Sequence, residues 1–536
     1  MLHHASPVGE QRPTKILVKK INLSIDASWL QRSERAGWLL LAPLALALRL
    51  PLLNRFPLRE DEAIYGWWAL TALLDDPRFL TVWPDKPPLF LWLQGIALQL
   101  FGATAPGARL LNIFLSTLTV LLIGAAARRW WGVRAGLAAA GAAALSPFAV
   151  SFAPTGFTDP LLTAAGAALL AAAAWQQWGW AGAALGIAVI TKQQGLLFAP
   201  LLALLLLRPA SDPPGARRWL QAGGGALVVV LPVLLWDAGR WAVAPSPWDL
   251  GAQNVGALTL APAGLWLDRL AGWSAQLWYF VASPWVAAAL VLLFFSAWRS
   301  PSLHASTPFF LLTLWTGGFL LVHLLTTVPV WDRYLLPLQL PVALAIGWAA
   351  GRTSEQLAPL ALVALLLMIP PALAAARGQL PIGSDHGDYA GLEEAIAMAA
   401  GAEPGAPAVA GSTVIYHQSL GWHLRFYLYA PARRGEVAER WVANGAMLAD
   451  DATKQPGKTL TLIEPVWAPL RDLPLQLASR GLVPTRIGRT GNFSVYAITP
   501  AASLPGRVIS CRASRWPRLA AGEAVATPRS QPGTLP

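Results

Sequence analysis

Long apolar runs alternate with short charged or proline-containing loops from residue 37 to about residue 375. A membrane-spanning helix needs about 20 apolar residues, and several of these runs are shorter, so their ends are approximate. The runs lie near 37–53, 108–127, 134–151, 160–174, 178–190, 195–208, 219–236, 274–297, 307–325, 335–350 and 355–374. The pattern predicts an α-helical polytopic membrane protein with about eleven transmembrane helices.

The arginines predict the orientation of these helices. Short loops near 128–134, 208–218, 299 and 352 carry arginine, and they all face the cytoplasm if the segment 88–101 does not cross. That segment has the length of a juxtamembrane or re-entrant helix. We therefore expect a cytoplasmic N-terminus, and we expect everything after about residue 375 to lie outside the cell membrane.

The two ends of the chain differ in composition from this apolar part. Residues 1–36 form a basic segment, which we expect to be cytoplasmic, and residues 376–502 have a mixed, soluble pattern. Within the latter, 392–400 has the pattern of an amphipathic helix, and 458–465 and 493–499 have the pattern of strands. We expect a small extracytoplasmic α/β domain at 376–502, which we call the C-terminal domain, followed by a disordered tail at 503–536.

Composition supports the membrane assignment. The 536 residues are 55% hydrophobic and only 13% charged, with a mean hydropathy of +0.47, and soluble domains are near 25% charged. The net charge of +12 forms no basic stripe on a soluble domain, so we expect membrane lipids and phosphate-bearing substrates as partners rather than nucleic acid. The single cysteine, Cys511, cannot form a disulfide framework or a cysteine metal site.

The few carboxylates of the apolar part gather on one predicted side. Of the thirteen between residues 37 and 375, eleven fall in the predicted outer loops or at their edges. They are Glu60, Asp61, Glu62, Asp75, Asp76, Asp85, Asp159, Asp237, Asp249, Asp268 and Asp332. The two lysines of the stretch, Lys86 and Lys192, are also predicted outside, against the usual bias of positive charge. Simple solvation of loops is the alternative explanation.

The predicted outer loop at 54–107 holds the most informative residues. Three adjacent acids, Glu60, Asp61 and Glu62, repel one another beside a low-dielectric surface, which raises the pKa of at least one and suits a general base. Capping of the next helix by Asp61 is the alternative. Lys86, fixed before two prolines, is suited to hold a phosphate. A snorkelling anchor is the alternative for Lys86.

Three further positions have the same character. Asp159, between Thr158 and a proline, puts a carboxylate at the outer start of a predicted span, where capping alone is the alternative. Arg333 stands at the outer start of another span and is available to an anionic group. Lys192 lies in a polar interruption of 29 largely apolar residues, and such broken helices usually line a protein cavity rather than lipid.

With these residues, the sequence resembles the family 39 glycosyltransferases of the GT-C superfamily over roughly 37–350. That family includes protein O-mannosyltransferases and the bacterial transferase that moves aminoarabinose to lipid A. The resemblance rests on short motifs in a fixed order, each weak by itself. The motifs are Asp61-Glu62 with Tyr65, Lys86-Pro87-Pro88-Leu89 with Trp92, Phe101-Gly102, Arg109-Leu110, Thr158-Asp159-Pro160, the segment from Gly186 through Thr191-Lys192 to Gly195, and Arg333-Tyr334-Leu335-Leu336-Pro337.

The resemblance implies transfer of a sugar from a polyprenyl-phosphate carrier to an acceptor hydroxyl at the outer face, with inversion at the anomeric carbon. It implies catalytic roles for three acids, with Asp61 as the base, and substrate-binding roles for three cations and two tyrosines. The acids are Asp61, Glu62 and Asp159, and the substrate-binding candidates are Lys86, Arg333, Tyr65, Tyr334 and Lys192. Asp85 stands where a relative has a glutamate implicated in metal contact, so a divalent metal is a possible cofactor. The acceptor could be a protein, a lipid or a glycan.

Two other functions stay open at the level of sequence. A lipid or sugar transporter or flippase would place ionisable residues near the middle of the membrane and often has repeated halves, whereas this chain has no repeat and its charges lie on one predicted face. A glycan polymer ligase would use similar chemistry at the outer face, and the Asp61-Glu62 and Lys86 motifs favour a family 39 enzyme over it.

Overall fold

The computed structural model describes residues 27–207, 215–254, 259–299, 307–383, 388–401 and 413–501, with side chains from residue 37 onwards. Most of the expected basic segment at 1–36, namely residues 1–26, lies outside the described residues. The whole of the expected tail at 503–536 also lies outside them. Within the described ranges, the apolar part contains sixteen α-helices, with short 3₁₀ helices between some of them. They are α1 (Ala27–Arg49), α2 (Glu60–Leu74), α3 (Leu89–Phe101), α4 (Ala105–Trp131), α5 (Val133–Leu145), α6 (Pro147–Phe152), α7 (Asp159–Ala174), α8 (Trp178–Thr191), α9 (Phe198–Leu206), α10 (Gly215–Ala238), α11 (Pro247–Asn254), α12 (Trp266–Leu277), α13 (Pro284–Trp298), α14 (Thr307–Leu325), α15 (Gln339–Arg352) and α16 (Pro359–Ala376).

The prediction of a polytopic helical membrane protein is confirmed. Among the described residues, five helices are long and apolar enough to cross a membrane, or six if one bent pair counts as a single span. They are α4, α10, α14, α15 together with the 3₁₀ helix Asp332–Leu338 that precedes it, and α16. Six shorter apolar helices accompany them, among them α3 over the segment 88–101. The count of eleven spans and the orientation of the termini stay predictions.

Two predicted runs are broken in the structure. The run 274–297 was expected to form one helix, but it bends by 83° between the 3₁₀ helix Trp278–Phe280 and α13. Ser283 caps the new helix through the backbone N–H of Val286, and Pro284 has no N–H to continue the preceding one. The run 134–151 is divided in the same way by Ser146 and Pro147, between α5 and α6.

Small residues let the helices of the apolar part approach closely. Helix α8 packs against α10, and a Cβ placed on Gly182 would lie 1.9 Å from the carbonyl oxygen of Ala222. A Cβ on Gly225 would lie 2.0 Å from the carbonyl oxygen of Gly179 in the same contact. In apolar surroundings such close backbone packing replaces the hydrophobic driving force between helices.

The C-terminal domain has the expected α/β character. Its helices and strands follow one another along the chain as α17 (Leu392–Ala399), β1 (Thr413–His417), α18 (Gly421–Tyr427), α19 (Tyr429–Arg433), β2 (Val437–Trp441), α20 (Gly445–Ala452), β3 (Thr459–Pro465), α21 (Leu473–Ala478), β4 (Leu482–Thr490) and β5 (Phe493–Pro500). The helix expected at 392–400 and the strands expected at 458–465 and 493–499 are thereby confirmed as α17, β3 and β5.

The five strands form one mixed sheet in the order β2-β1-β3-β5-β4. Strand β1 pairs in parallel with β2 and β3, whereas β5 pairs antiparallel with β3 and β4. Helices α20 and α21 cover one face of the sheet, and α17 and α18 cover the other. All five residues of β1 are buried, as expected for a strand covered on both faces. The division of the chain at 37–375 and 376–502 stays a prediction.

Candidate active site

Helix α2 carries the three adjacent acids, and its first turn determines where each one points. The helix begins at Glu60, and Glu62 accepts a hydrogen bond from the backbone N–H of Arg59 at 3.0 Å, as in a capping box. Arg59 stands at the N-cap position and Asp61 is already the second helical residue, so the capping role considered for Asp61 is wrong. The side chain of Asp61 is 39% exposed, whereas that of Glu62 is fully buried.

Asp61 forms an ion pair with Arg333. The guanidinium Nη1 of Arg333 donates a hydrogen bond to the carboxylate of Asp61. The guanidinium carbon also lies 4.8 Å from the ring centroid of Phe157 and 4.7 Å from that of Trp331. This aromatic packing holds the arginine in place.

The pKa values of the three acids diverge. Desolvation opposes ionisation of Asp61, but the charge of Arg333, with a smaller effect of Lys86, outweighs it and lowers the pKa of this carboxyl below its usual value. Partial desolvation, followed by the charge of Asp61, raises the pKa of Glu60. The expected rise in the pKa of at least one acid is thus found at Glu60, and Asp61 is ionised at neutral pH.

Glu62 is enclosed by four hydrogen-bond donors. Nε and Nη2 of Arg109 each donate to it at 2.9 Å, and the backbone N–H groups of Gly156 and Arg59 donate at 2.7 and 3.0 Å. Burial alone would raise the pKa of Glu62, but Arg109 in particular lowers it to about 2. A carboxylate enclosed in this way cannot reach a substrate. These contacts suit a residue that holds the 54–107 loop and do not favour the catalytic role expected for Glu62, which stays a prediction.

Arg109 connects Glu62 to the segment that leads into α2. Its terminal nitrogens donate hydrogen bonds to three backbone carbonyl groups of that segment. The acceptors are Leu53 at 3.2 Å, Phe56 at 2.7 Å and Pro57 at 2.9 Å. One buried ion pair thus determines the path of the chain immediately before Asp61.

Lys86 lies near α2 as well. Its ammonium forms an ion pair with Asp85 and lies 5.9 Å from the ring centroid of Tyr65. Asp85 also accepts a hydrogen bond from the side-chain amide of Asn254 at 2.7 Å. The charge of Lys86 contributes to the lowered pKa of Asp61, so the lysine acts on the same site.

A metal ion does not fit at Asp85. Its Oδ2 atom faces the ammonium of Lys86 and the amide of Asn254, which are donors and compete with a cation. Throughout the described ranges, no group of three or more histidine, cysteine, aspartate or glutamate side chains is placed to hold a metal ion. The metal contact expected at Asp85 is therefore not supported by the residues around it.

Asp159 and Lys192 form a buried ion pair with Nζ and Oδ1 2.5 Å apart. Helix α8 ends at Thr191, and the 3₁₀ helix Gln193–Leu197 follows, so the break places Lys192 inside the protein, as the polar interruption predicts. The Lys192 ammonium lies 4.2 Å from the ring centroid of Tyr334, and the Arg333 guanidinium lies 5.7 Å from that centroid. Tyr334 therefore connects the two ion pairs.

Seven of the eight residues expected at catalytic and substrate-binding positions are thus joined by contacts or by charge. The exception is Glu62, which lies one residue from Asp61 but faces Arg109. We call the set of Asp61, Tyr65, Asp85, Lys86, Asp159, Lys192, Arg333 and Tyr334 the charged cluster. These residues come from five separate stretches of chain.

Two residues of this region were missed by the sequence reasoning. Arg59 is buried, and its guanidinium lies 4.9 Å from the ring centroid of Phe157, the ring that also contacts Arg333. Arg59 was visible as the first residue of the charged run before α2. Phe157 stands in an apolar stretch, and only its neighbours in space distinguish it.

A cavity of about 260 Å³ lies at α2 but away from the charged cluster. Trp67 of α2 lines it together with residues of α18, α19 and β2, among them Arg425 and Glu439. It marks the junction between α2 and the C-terminal domain.

The fold and the charged cluster define a polytopic membrane protein with an appended α/β domain. Residues 85–236, which include Lys86, Asp159 and Lys192, match the family model described as dolichyl-phosphate-mannose-protein mannosyltransferase. No curated protein matches the chain by sequence.

Solved structures share the fold over most of the chain. ArnT from Cupriavidus metallidurans bound to undecaprenyl phosphate is 18% identical with a TM-score of 0.62, and the match covers 88% of this chain and 98% of that one. The same protein in the apo state has a TM-score of 0.61 at 18% identity, with 86% and 98% covered. The Archaeoglobus fulgidus oligosaccharyltransferase tethered with an acceptor peptide is 12% identical with a TM-score of 0.51, and 82% of this chain and 70% of that one are covered.

These similarities confirm the expected resemblance to GT-C glycosyltransferases and the expected fold class. The chain is a multi-pass membrane protein with the GT-C fold.

Proposed function

We propose that this protein is a membrane glycosyltransferase that moves a sugar from a polyprenyl-phosphate donor to an acceptor hydroxyl. The observation that carries the proposal is the position of Asp61. This partly exposed and ionised carboxylate contacts Arg333, and the charge of Lys86 contributes to its lowered pKa. Such a transfer releases a proton from the acceptor hydroxyl and adds a negative charge to the leaving phosphate. A base that takes the proton and two cations that stabilise the phosphate are found here in one place. The shared fold with ArnT, solved with undecaprenyl phosphate, supports a lipid phosphate as the carrier.

The reaction is a single displacement at the anomeric carbon. The acceptor hydroxyl gives its proton to the carboxylate of Asp61, and its oxygen forms the new bond to the anomeric carbon. The bond from that carbon to the phosphate oxygen breaks, and the electron pair leaves with the lipid phosphate. Attack from the face opposite the leaving group inverts the configuration.

Lys86 and Arg333 stabilise the leaving group. The phosphate gains one negative charge as the bond breaks, and fixed cations at that place favour the transition state over the ground state. The approach of the phosphate also neutralises part of the positive charge that lowers the pKa of Asp61. Donor binding therefore makes Asp61 a stronger base at the step in which it accepts the proton.

Asp159 and Lys192 hold the other side of the charged cluster. Their ion pair is buried, so neither can leave it without a large loss of free energy. Lys192 contacts the ring of Tyr334, the neighbour of Arg333, and this contact orients the segment that carries Arg333. We propose that Asp159 and Lys192 position the substrate-binding residues, and that Tyr65 and Tyr334 form the walls against which the donor lies.

We propose that the phosphate is bound by side-chain cations rather than by a metal ion that the protein holds. Lys86 and Arg333 supply the positive charge that a metal would supply, and Asp85 is engaged by donors.

We also propose that the charged cluster and the C-terminal domain face the outside of the cell membrane, with the N-terminus in the cytoplasm, because the arginine-bearing loops favour that orientation.

The test uses the full chain in proteoliposomes with a radiolabelled polyprenyl-phosphate sugar and candidate protein, lipid and glycan acceptors. We expect label to move to one acceptor class, Asp61→Asn to abolish the transfer, and Asp268→Asn to retain it. Asp268 is the matched control because it is an exposed carboxylate of α12. Full transfer by Asp61→Asn would disprove the role of the base. Transport of the donor without product would indicate a flippase, and transfer of long preassembled glycans would indicate a polymer ligase.

A further inference from the structure

Helix α18 of the C-terminal domain packs directly against α2. A Cβ placed on Gly66 of α2 would lie 2.6 Å from the ring of Phe426, so the two helices meet where α2 has no side chain. One turn away, the ring of Trp422 lies 5.4 Å from that of Trp67 and 6.5 Å from that of Trp68. The C-terminal domain is therefore fitted to the helix that carries Asp61.

His423 of α18 reaches the chain just before α2. It is fully buried, and its Nε2 lies 3.0 Å from the carbonyl oxygen of Leu58. Since a carbonyl can only accept, Nε2 carries the proton and donates. The ring packs on Tyr389 with centroids 4.3 Å apart, and Nδ1 has no hydrogen-bond partner among the described residues. Burial lowers the pKa of His423 to about 4, so the ring is neutral at pH 7.

The hydrogen bond to Leu58 completes a continuous set of contacts along this segment. Arg109 holds the carbonyls of Phe56 and Pro57, His423 holds the next one, and Glu62 accepts from the backbone N–H of Arg59. Asp61 follows two residues later. All of these contacts except that of His423 come from the helices of the apolar part.

The far end of α2 is held by the same domain. Asp75, which follows the last helical residue, accepts a hydrogen bond from the hydroxyl of Tyr429 and forms an ion pair with Arg433 at 2.9 Å. The C-terminal domain thus contacts α2 before its first turn, along its length and after its last turn.

We propose that the C-terminal domain is a positioning element for the catalytic base, and that the hydrogen bond from His423 to Leu58 sets the first turn of α2 so that Asp61 meets Arg333. The proposal rests on the proposed function, because it assigns a purpose to the placement of Asp61. His423 does not touch the substrate.

The consequence for the kinetics is specific. A carboxylate displaced by about 1 Å can lose up to about 100-fold in rate, because the proton transfer requires close geometry. The donor phosphate is held by Lys86 and Arg333, which do not depend on Leu58. Loss of the His423 hydrogen bond should therefore lower kcat for transfer and leave KM for the donor nearly unchanged.

The test compares His423→Leu, which removes the donor, with His423→Gln, whose amide N–H can reach the same carbonyl. We expect kcat to fall about tenfold or more in His423→Leu and to recover most of that loss in His423→Gln. Tyr416→Phe is the control, because it removes the hydrogen bond from Tyr416 to Asp451 inside the C-terminal domain and should weaken that domain without changing a contact to α2. Equal kcat in His423→Leu and the wild type would overturn the proposal, as would an equal loss in Tyr416→Phe.

A measurement without substrate separates this proposal from the proposed function. Amide hydrogen exchange of residues 59–63 should be about fivefold faster in His423→Leu than in His423→Gln or Tyr416→Phe, because the first turn is less firmly held. Unchanged exchange would overturn the positioning role even if transfer is observed. If exchange is faster in His423→Leu but the wild-type protein transfers no sugar, the positioning role is retained and the proposed function is rejected.

A second variant covers the case in which His423→Leu does not fold. Gly66→Ala introduces a methyl group against Phe426 and displaces α18 from α2, so that His423 is kept in the sequence but drawn away from the carbonyl of Leu58. We expect a similar fall in kcat and a similar rise in exchange at residues 59–63. Wild-type values of both quantities in Gly66→Ala would contradict the proposal.

Discussion

The guanidinium of Arg333 donates a hydrogen bond to the carboxylate of Asp61 across 272 positions of sequence. The contact joins the first turn of α2 to the 3₁₀ helix Asp332–Leu338. It keeps Asp61 ionised in a partly buried place, and it fixes a cation beside the carboxylate that we propose as the base. Since Asp61 and Arg333 form one ion pair, a substitution of Asp61 should remove the base, whereas a substitution of Arg333 should change the pKa of the base.

The dependence of transfer on pH should reveal this ion pair. Asp61 acts when deprotonated, and its pKa in the protein without donor lies below its ordinary value of 3.8, so kcat/KM for the donor should stay constant as the pH falls from 7 to about 5. In Arg333→Gln, desolvation is no longer outweighed to the same extent, and the pKa of Asp61 rises. The acidic limb of the kcat/KM profile for the donor should then move to higher pH.

Arg333→Lys is the matched control, because it keeps the positive charge and should leave the acidic limb nearer to that of the wild type. A profile of Arg333→Gln that coincides with the wild-type profile would contradict the assignment of Asp61 as the base.

The adjacent acids Asp61 and Glu62 should differ in their contributions to stability. Glu62→Gln leaves the guanidinium of Arg109 buried without a carboxylate and should lower the free energy of unfolding by about 3–5 kcal/mol. Asp61→Asn, at a partly exposed pair, should lower it by about 1 kcal/mol or less. Thermal unfolding of the purified proteins at pH 7 measures both. Equal losses in the two variants would refute the division of roles.

The effect of acid on stability should also differ between the wild type and Glu62→Gln. The pKa of Glu62 is lowered from 4.5 to about 2, so its contribution to stability is complete above pH 4.5 and is lost as the pH falls toward 2. Over that range the midpoint temperature of the wild type should fall more steeply than that of Glu62→Gln. Parallel curves for the two proteins would show that Glu62 does not carry the effect.

Lys86 should contribute to binding of the lipid phosphate. Lys86→Ala removes one charged hydrogen bond to the phosphate and should raise Kd for undecaprenyl phosphate by about tenfold or more. Asp85→Asn frees Lys86 from its ion pair and should leave Kd unchanged or lower it. Binding of the radiolabelled lipid to the detergent-solubilised protein gives both values. A weaker affinity in Asp85→Asn than in Lys86→Ala would reverse the roles assigned to this pair.

Chelation tests the proposal that side-chain cations bind the phosphate. After dialysis against EDTA, transfer should retain its rate, because the donors around Asp85 oppose a metal ion there. The control adds magnesium or manganese back to the dialysed protein. Loss of transfer on dialysis with recovery on addition of either ion would show that the reaction needs a metal.

The sequence by itself determined the local features of this protein. Apolar length predicted the long helices, and the polar interruption at Lys192 predicted the break after α8, because a helix cannot easily keep such residues in an apolar bundle. The sequence also predicted α17, β3 and β5, because apolar residues recur at a fixed period in a helix or strand that buries one side. The order of the short motifs indicated which charges belong to one site.

Only the tertiary structure decided how those charges pair. Asp61 and Glu62 look alike in the sequence, but one meets Arg333 and the other is enclosed by Arg109, because successive residues of a helix point in different directions. The division of the run 274–297 and the contact of His423 with Leu58 depend in the same way on distant partners. Pairing of residues far apart in the chain is set by packing, and no local pattern records it.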